Sequence, residues 1–213
     1  MRKPVLIVLL FLFARGAAFS QDQKFHFGLK VIPSMSWVKP DNKGQSREGY
    51  RLGFGYGVQT EFRLQENYAI CSGVQVVYRG GNILKEGEVD VNNSPLPDST
   101  FNYRMQFLEI PVCLKMMTRK FDRIRYFGQF GFAPGFNLKA KRDSPKEENE
   151  EFKSEIFPLN MNMIIGAGVE YEISGSTVAF GGLEFSNGFI DIFKGSQRKG
   201  FTNYLGVSAG ILF

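Results

Sequence analysis

The stretch FTNYLGVSAGILF, residues 201–213, decides the fold. Phe201, Leu205, Val207, Ala209, Ile211 and Phe213 fall on one face at period two, the pattern of a strand with a single apolar side. An apolar strand that closes on an aromatic has the form of the last strand of a Gram-negative outer-membrane barrel. Phe213 is therefore expected to be the assembly signal read by the barrel-insertion machinery, and the outer membrane is the expected compartment.

The opposite end points to export. Arg2 and Lys3 precede an apolar run from Val5 to Phe13, and Ala17, Ala18 and Ser20 follow before the polar QDQK, the order of a secretory signal peptide. The run is far short of the ~20 residues of a spanning helix. Residues 1–20 are thus expected to be a cleaved signal and 21–213 the mature domain, with no Cys near the cut for a lipid anchor. Arg2, Lys3 and Arg15 leave with the signal, so Lys+Arg falls from 26 to 23 against 21 acids. The formal +5 becomes +2, which removes the electrostatic case for nucleic acid. Aromatics at 15% and 24 glycines, with no later apolar run of spanning length, point to β structure with exposed rings.

Alternation continues along the chain. Phe25, Phe27, Leu29, Val31, Met35 and Trp37 oppose His26, Gly28, Lys30, Ser34 and Ser36. Tyr50, Leu52, Phe54, Tyr56, Val58 and Phe62 oppose Arg51, Gly53, Gly55, Gly57, Gln59, Glu61 and Arg63. Tyr68, Ile70, Val74, Val76 and Tyr78 repeat the pattern. In the fourth segment, FNYRMQFLEIPVCLKM, the apolar set changes phase between Phe107 and Leu108, which predicts one extra residue absorbed in a bulge there, with Pro111 in a disturbed ladder. Residues 124–139 and 157–173 alternate again. In 177–186 the Gly181-Gly182 pair leaves the phase open. With the last segment the count is eight, an all-β, antiparallel up-and-down transmembrane barrel.

Long polar connections (39–49, 80–100, 140–155, 187–200) alternate with short ones (LQEN, TRKFDR, SGS), the long-outside, short-periplasmic habit of such barrels. KRDSPKEENEEFKSE reads as a solvated, mobile loop. Two aromatic girdles are expected, Phe25, Phe62, Tyr68, Tyr126, Tyr171 and Phe213 at the short-turn end and Trp37, Tyr50, Tyr78, Phe101, Phe136, Phe157 and Phe201 at the long-loop end.

Chemistry-bearing motifs are sparse. His26 is the sole histidine, expected inside near the periplasmic end with its hydrogen bonds satisfied, whereas a barrel hydrolase needs a base near the outer rim. One His and two Cys exclude the common zinc sets, and no cofactor is expected. GFGYG and GQFGFAPG lie inside strands with no following helix and so fail as dinucleotide loops; inward glycines leave room for longer neighbours. Arg51, Glu61, Arg63, Arg79, Arg104, Glu109, Lys115, Arg125, Glu170, Glu172 and Glu184 fall on the polar face, and in a barrel of this size they predict a paired network that plugs the tube. Cys71 and Cys113 sit on adjacent strands, a candidate disulfide that the periplasm permits, weighed against two free lumen-facing thiols.

FGLKVIPSMSW, YRMQFLEIPVCLKM and LGVSAGILF together resemble the PorT-like outer-membrane β-barrel family, with FLEIP the most specific piece. The resemblance implies an eight-stranded barrel without shared catalytic motif, with some members tied to protein secretion or cell-surface assembly. The expected role is a structural or interaction platform, not an enzyme, with outer-membrane lipids and lipopolysaccharide around it and secretion or surface proteins as candidate partners. The alternatives are a secreted lipocalin-like carrier with the apolar face inward around a ligand, a narrow selective pore, and an outer-membrane lipid-modifying enzyme.

Overall fold

The structure is a computed structural model that describes residues 24–41, 45–85, 99–143, 150–151, 153–194 and 199–213. The expected signal peptide lies outside the described residues. Eleven strands follow one another: β1 (Phe25–Pro40), β2 (Gln45–Arg47), β3 (Arg51–Gln65), β4 (Tyr68–Lys85), β5 (Ser99–Glu109), β6 (Val112–Met117), β7 (Ile124–Asp143), β8 (Glu150–Glu151), β9 (Leu159–Ser174), β10 (Thr177–Gly188) and β11 (Gly200–Leu212).

Eight walls form a closed ring. Each pairs antiparallel with its neighbour in the order β1, β3, β4, β5 with β6, β7, β9, β10, β11, and β11 returns to β1. β5 and β6 are two halves of one wall, both paired to β4 and β7 and separated at Ile110-Pro111, where the proline cannot donate to a ladder. The seam closes by reciprocal bonds, Phe27 N to Phe213 O at 3.2 Å and Phe213 N to Phe27 O at 2.7 Å. Closure leaves the barrel without the open edges that a flat sheet would expose.

Which face points outward separates a membrane barrel from a carrier. In β1, Phe25, Leu29, Val31 and Met35 are exposed while His26, Gly28, Lys30, Ser34 and Ser36 are buried. The same sense holds in β3, β6 and β9, so the apolar face is outside and the polar face is the filling of the tube. This overturns the lipocalin-like alternative, whose apolar face would line the interior. Phe25, Phe62, Tyr68, Tyr126, Tyr171 and Phe213 are exposed at the short-turn end.

Three sequence expectations are corrected. The first is the bulge. Tyr103, Met105, Phe107 and Glu109 point inward, as do Cys113, Lys115 and Met117 below, so the fourth wall keeps one phase throughout. Its chemistry changes instead: toward the long-loop end the apolar residues turn inward, because the barrel has a buried apolar cluster there. The extra residue lies in the neighbouring wall, where Gln106 pairs with Lys139 and Phe107 with Asn137, leaving Leu138 unmatched. The second concerns the long connections. β4 and β7 run on to Lys85 and Asp143, giving 18 and 20 residues against the 9–11 that a spanning strand needs. β8 then folds the far side of the KRDSPKEENEEFKSE stretch back onto β7. The third is Phe101, which leaves the expected girdle and packs inward against the apolar cluster. β10, whose phase the glycine pair left open, buries Val178, Phe180, Glu184 and Ser186 on one face.

Candidate functional site

The site is the filled lumen, organised in layers along the barrel axis. At the short-turn end lies an apolar floor of Ala69, Met117, Phe127, Val178, Phe180 and Leu212. Phe127 fits there because Gly168 carries no side chain: a Cβ on Gly168 would lie 2.8 Å from the Phe127 ring.

Above the floor, Lys115 joins two carboxylates. Its Nζ donates to Glu61 Oε2 at 2.6 Å and to Glu170 Oε1, and lies 4.6 Å from the Phe127 ring centroid. Arg63 Nε pairs with Glu61 Oε1 at 3.1 Å and its NH2 lies 3.8 Å from Glu170 Oε2. His26 is buried in this layer, and its Nδ1 has no hydrogen-bond partner, in contrast to the satisfied histidine the sequence suggested. Arg125 faces Glu170 across the β7–β9 ladder and, with Arg63, Lys120, Arg123 and Glu172, lines the short-turn mouth.

A second layer centres on Glu184, which accepts from Lys30 Nζ at 2.6 Å, Gln129 Nε2 at 3.2 Å and Tyr204 Oη at 2.7 Å. In a third layer Glu109 pairs with Arg79, both fully buried, and accepts from Gln75 Nε2 at 2.9 Å and Asn162 Nδ2 at 3.0 Å. The Arg79 guanidinium also lies over Phe107 and Tyr204, 4.6 and 5.6 Å from their ring centroids. Lys30, Arg63, Arg79 and Lys115 are thus each paired with a carboxylate of Glu61, Glu109, Glu170 or Glu184. This pairing is what makes charge tolerable out of water.

The long-loop end is capped. Val38, Ile83, Tyr103, Met105, Phe107 and Ala140 from the walls meet Ile156, Ile192 and Phe193 from the connections. Those connections are stitched together by Phe157 N to Ile192 O at 3.0 Å, Lys194 N to Glu155 O at 2.7 Å and the Ile156–Phe193 bridge.

Two expected network members lie elsewhere. Arg104 pairs with Asp143 at 2.5 Å, on the outer side of the wall. The supposed phase slip had placed it inside; with one unbroken phase, its even-numbered position faces out. Arg51 donates to Asn102 Oδ1 at 2.7 Å and meets none of the lumen acids; its chain passes over Gly80, where a Cβ would lie 3.2 Å from Arg51 Cδ. Conversely, sequence reading put Lys30 on the polar face without drawing it into the charge network. Its single long cation between Gly28 and Ser34 on that face was the available signal.

Cys71 and Cys113 are direct partners in the β4–β6 register, yet both are free thiols and buried. Cys71 Sγ lies 3.8 Å from Glu61 Oε2 as a weak donor. Among the described residues no group of three His, Cys, Asp or Glu is placed to hold a metal ion.

Residues 19–194 match the outer membrane protein beta-barrel domain family, and the chain belongs to it. No curated protein matches the sequence. Among solved structures, Neisserial surface protein A (NspA) shares the fold at 10% identity and a TM-score of 0.50, covering 89% of this chain and 97% of that one. Two others are similar with lower TM-scores of 0.44: Ail, the attachment invasion locus protein of Yersinia pestis, in complex with the heparin analogue sucrose octasulfate (15% identity, 89% and 99% covered), and OprG from Pseudomonas aeruginosa (10% identity, 89% and 94% covered). The chain is an outer-membrane β-barrel protein.

Proposed function

We propose that this barrel is a non-conducting structural or interaction platform, oriented with the short turns in the periplasm and the long-loop end outside, and acting within a surface or protein-secretion assembly. The observation that carries the reading is the filled axis. Paired charges and two apolar clusters fill the lumen from the short-turn mouth to the long-loop cap, so the tube offers no route for a solute, and what is left to meet a partner is the long-loop end. The projecting ends of β4, β5 and β7, backed by the cap, give that end a rigid base. FLEIP and its flanking residues support the finer PorT-like placement, and residues 1–20 are the export signal of this reading. A lipid-modifying activity is disfavoured because the one histidine is buried near the short-turn end and the outer rim has no equivalent base.

The test is site-specific photo-crosslinking in intact cells. A crosslinker at exposed Phe157 or Ile190 near the long-loop end should yield a discrete adduct with a surface or secretion protein, and one at lipid-facing Val74 should not. Equal, diffuse labelling from both positions would remove the platform reading.

A further inference from the structure

The two arginines that leave the lumen converge on the outer wall with two lysines. Register places outward residues in rows across β4, β5 and β7: Val76, Leu108 and Phe136; then Tyr78, Gln106 and Lys139; then Gly80, Arg104 and Lys141. The wall therefore turns from apolar to aromatic to basic over three rows. Arg51 crosses from β3 over Gly80 into the third row. Arg51, Tyr78, Arg104, Gln106, Lys139 and Lys141 line a cleft of about 220 Å³, together with the buried Arg79 and Met105 of the same walls.

We propose that this cleft binds a phosphorylated glycolipid of the outer leaflet, the phosphate in the basic row and the acyl chains on the apolar wall below. Four cations, Arg51, Arg104, Lys139 and Lys141, face two acids, Asp143, which pairs with Arg104, and Glu151, which is opposite Lys141 in the β7–β8 ladder. Among the described residues that line or pair with this cleft, the surplus is two positive charges. Arginine forks and lysine ammoniums are the side chains that recognise phosphate oxygens. The height also selects the ligand. Tyr78, a ring of the headgroup level, donates or accepts at the boundary while hydrogen-bonded by Gln106 Nε2 at 3.1 Å, and exposed Phe136 and Leu138 lie beside and beneath it. A free phosphate ion would use only the upper row; a phosphorylated lipid uses all three. Gly80 leaves the close approach open: a Cβ there would run into the Tyr103 carbonyl oxygen and lie 3.2 Å from Arg51 Cδ.

This inference rests on the proposed orientation with the long-loop end outside, and its test is independent of conduction or protein partners. The mature barrel in detergent is incubated with bisphosphorylated lipid A, enzymatically dephosphorylated lipid A, phosphatidylglycerol, or inorganic phosphate, and bound species are counted by native mass spectrometry. One lipid A per barrel is expected, with affinity at least tenfold weaker for the dephosphorylated lipid, at least tenfold weaker for Lys139→Glu/Lys141→Glu, and retained in Lys139→Arg/Lys141→Arg. Heat-dependent gel mobility verifies folding; if the Glu pair does not fold, Lys139→Gln/Lys141→Gln takes its place with the same expected direction. Wild-type affinity in the folded charge-changed variant overturns the site. Competition by inorganic phosphate at equal affinity makes it a free-anion site, and equal binding of phosphatidylglycerol makes it a nonspecific annulus; each contradicts the proposal. Failure of lipid A to bind while bilayers show no conductance would discard this cleft and leave the closed platform standing.

Discussion

Truncating Glu109 to Ala is the most demanding test of the filled lumen. The carboxylate is fully buried, pairs with a fully buried Arg79, and accepts from Gln75 at 2.9 Å and Asn162 at 3.0 Å. Its loss leaves a cation in a water-poor interior and two amide donors without this acceptor. Breaking one side of a buried pair costs about 3–5 kcal/mol, and each orphaned neutral donor about 1–3 kcal/mol before relaxation. Because all three losses share one carboxylate and do not add, the expected cost of Glu109→Ala is about 3–5 kcal/mol, toward the upper end. Arg79→Met/Glu109→Gln removes both charges and keeps an acceptor for one amide, so it should recover most of that loss even though it also gives up the contacts of Arg79 with Phe107 and Tyr204. Reversible urea unfolding in phospholipid vesicles, followed through the single tryptophan, Trp37, and by heat-dependent gel mobility, measures both. A cost below about 1 kcal/mol for Glu109→Ala, or a double variant as unstable as the single, would refute a dry Arg79–Glu109 layer.

Further outcomes follow from the outer face, the thiols and the seam. Val74→Arg and Val112→Arg, on exposed positions of the apolar belt, should each cost about 2–4 kcal/mol in vesicle folding, whereas Val74→Leu should be near neutral; wild-type stability of either Arg variant contradicts the outward assignment. Cys71 and Cys113 should resist a thiol reagent in the folded barrel and release two equivalents after denaturation; a mature mass two hydrogens lighter would identify a disulfide instead. Deleting Phe213 removes both reciprocal bonds to Phe27 and should lower the heat-modifiable, assembled fraction in cells. Assembly at wild-type levels would reject its role as the insertion signal.

The strands were legible because lipid outside and a polar filling inside impose opposite chemistry on alternate residues, as Leu29 beside Lys30 shows in β1. That logic fails where the surroundings change. Toward the long-loop end the inside is an apolar cap, so Tyr103, Met105 and Phe107 turn inward with no change of backbone phase. An exchange of environments and a one-residue bulge leave the same trace in a sequence, and the bulge reading carried Arg104 to the wrong face. The true irregularity, at Leu138 in β7, is hidden because Phe136 and Leu138 are both apolar and outward before the phase shifts to Ala140. The lumen charges were legible as a set, since inward ionisable residues require partners. Who pairs with whom was not: Lys30 with Glu184, and Lys115 with two acids at once, depend on contacts across the tube between residues 154, 54 and 55 positions apart in the chain.

The closed lumen is tested most directly by planar-bilayer recording of the purified, folded wild-type barrel. With Lys30, Arg63, Arg79 and Lys115 each paired to a carboxylate and an apolar cluster packed near either end of the lumen, no steady conductance is predicted. Stable, well-resolved channels would contradict the account and put a narrow selective pore in place of the platform.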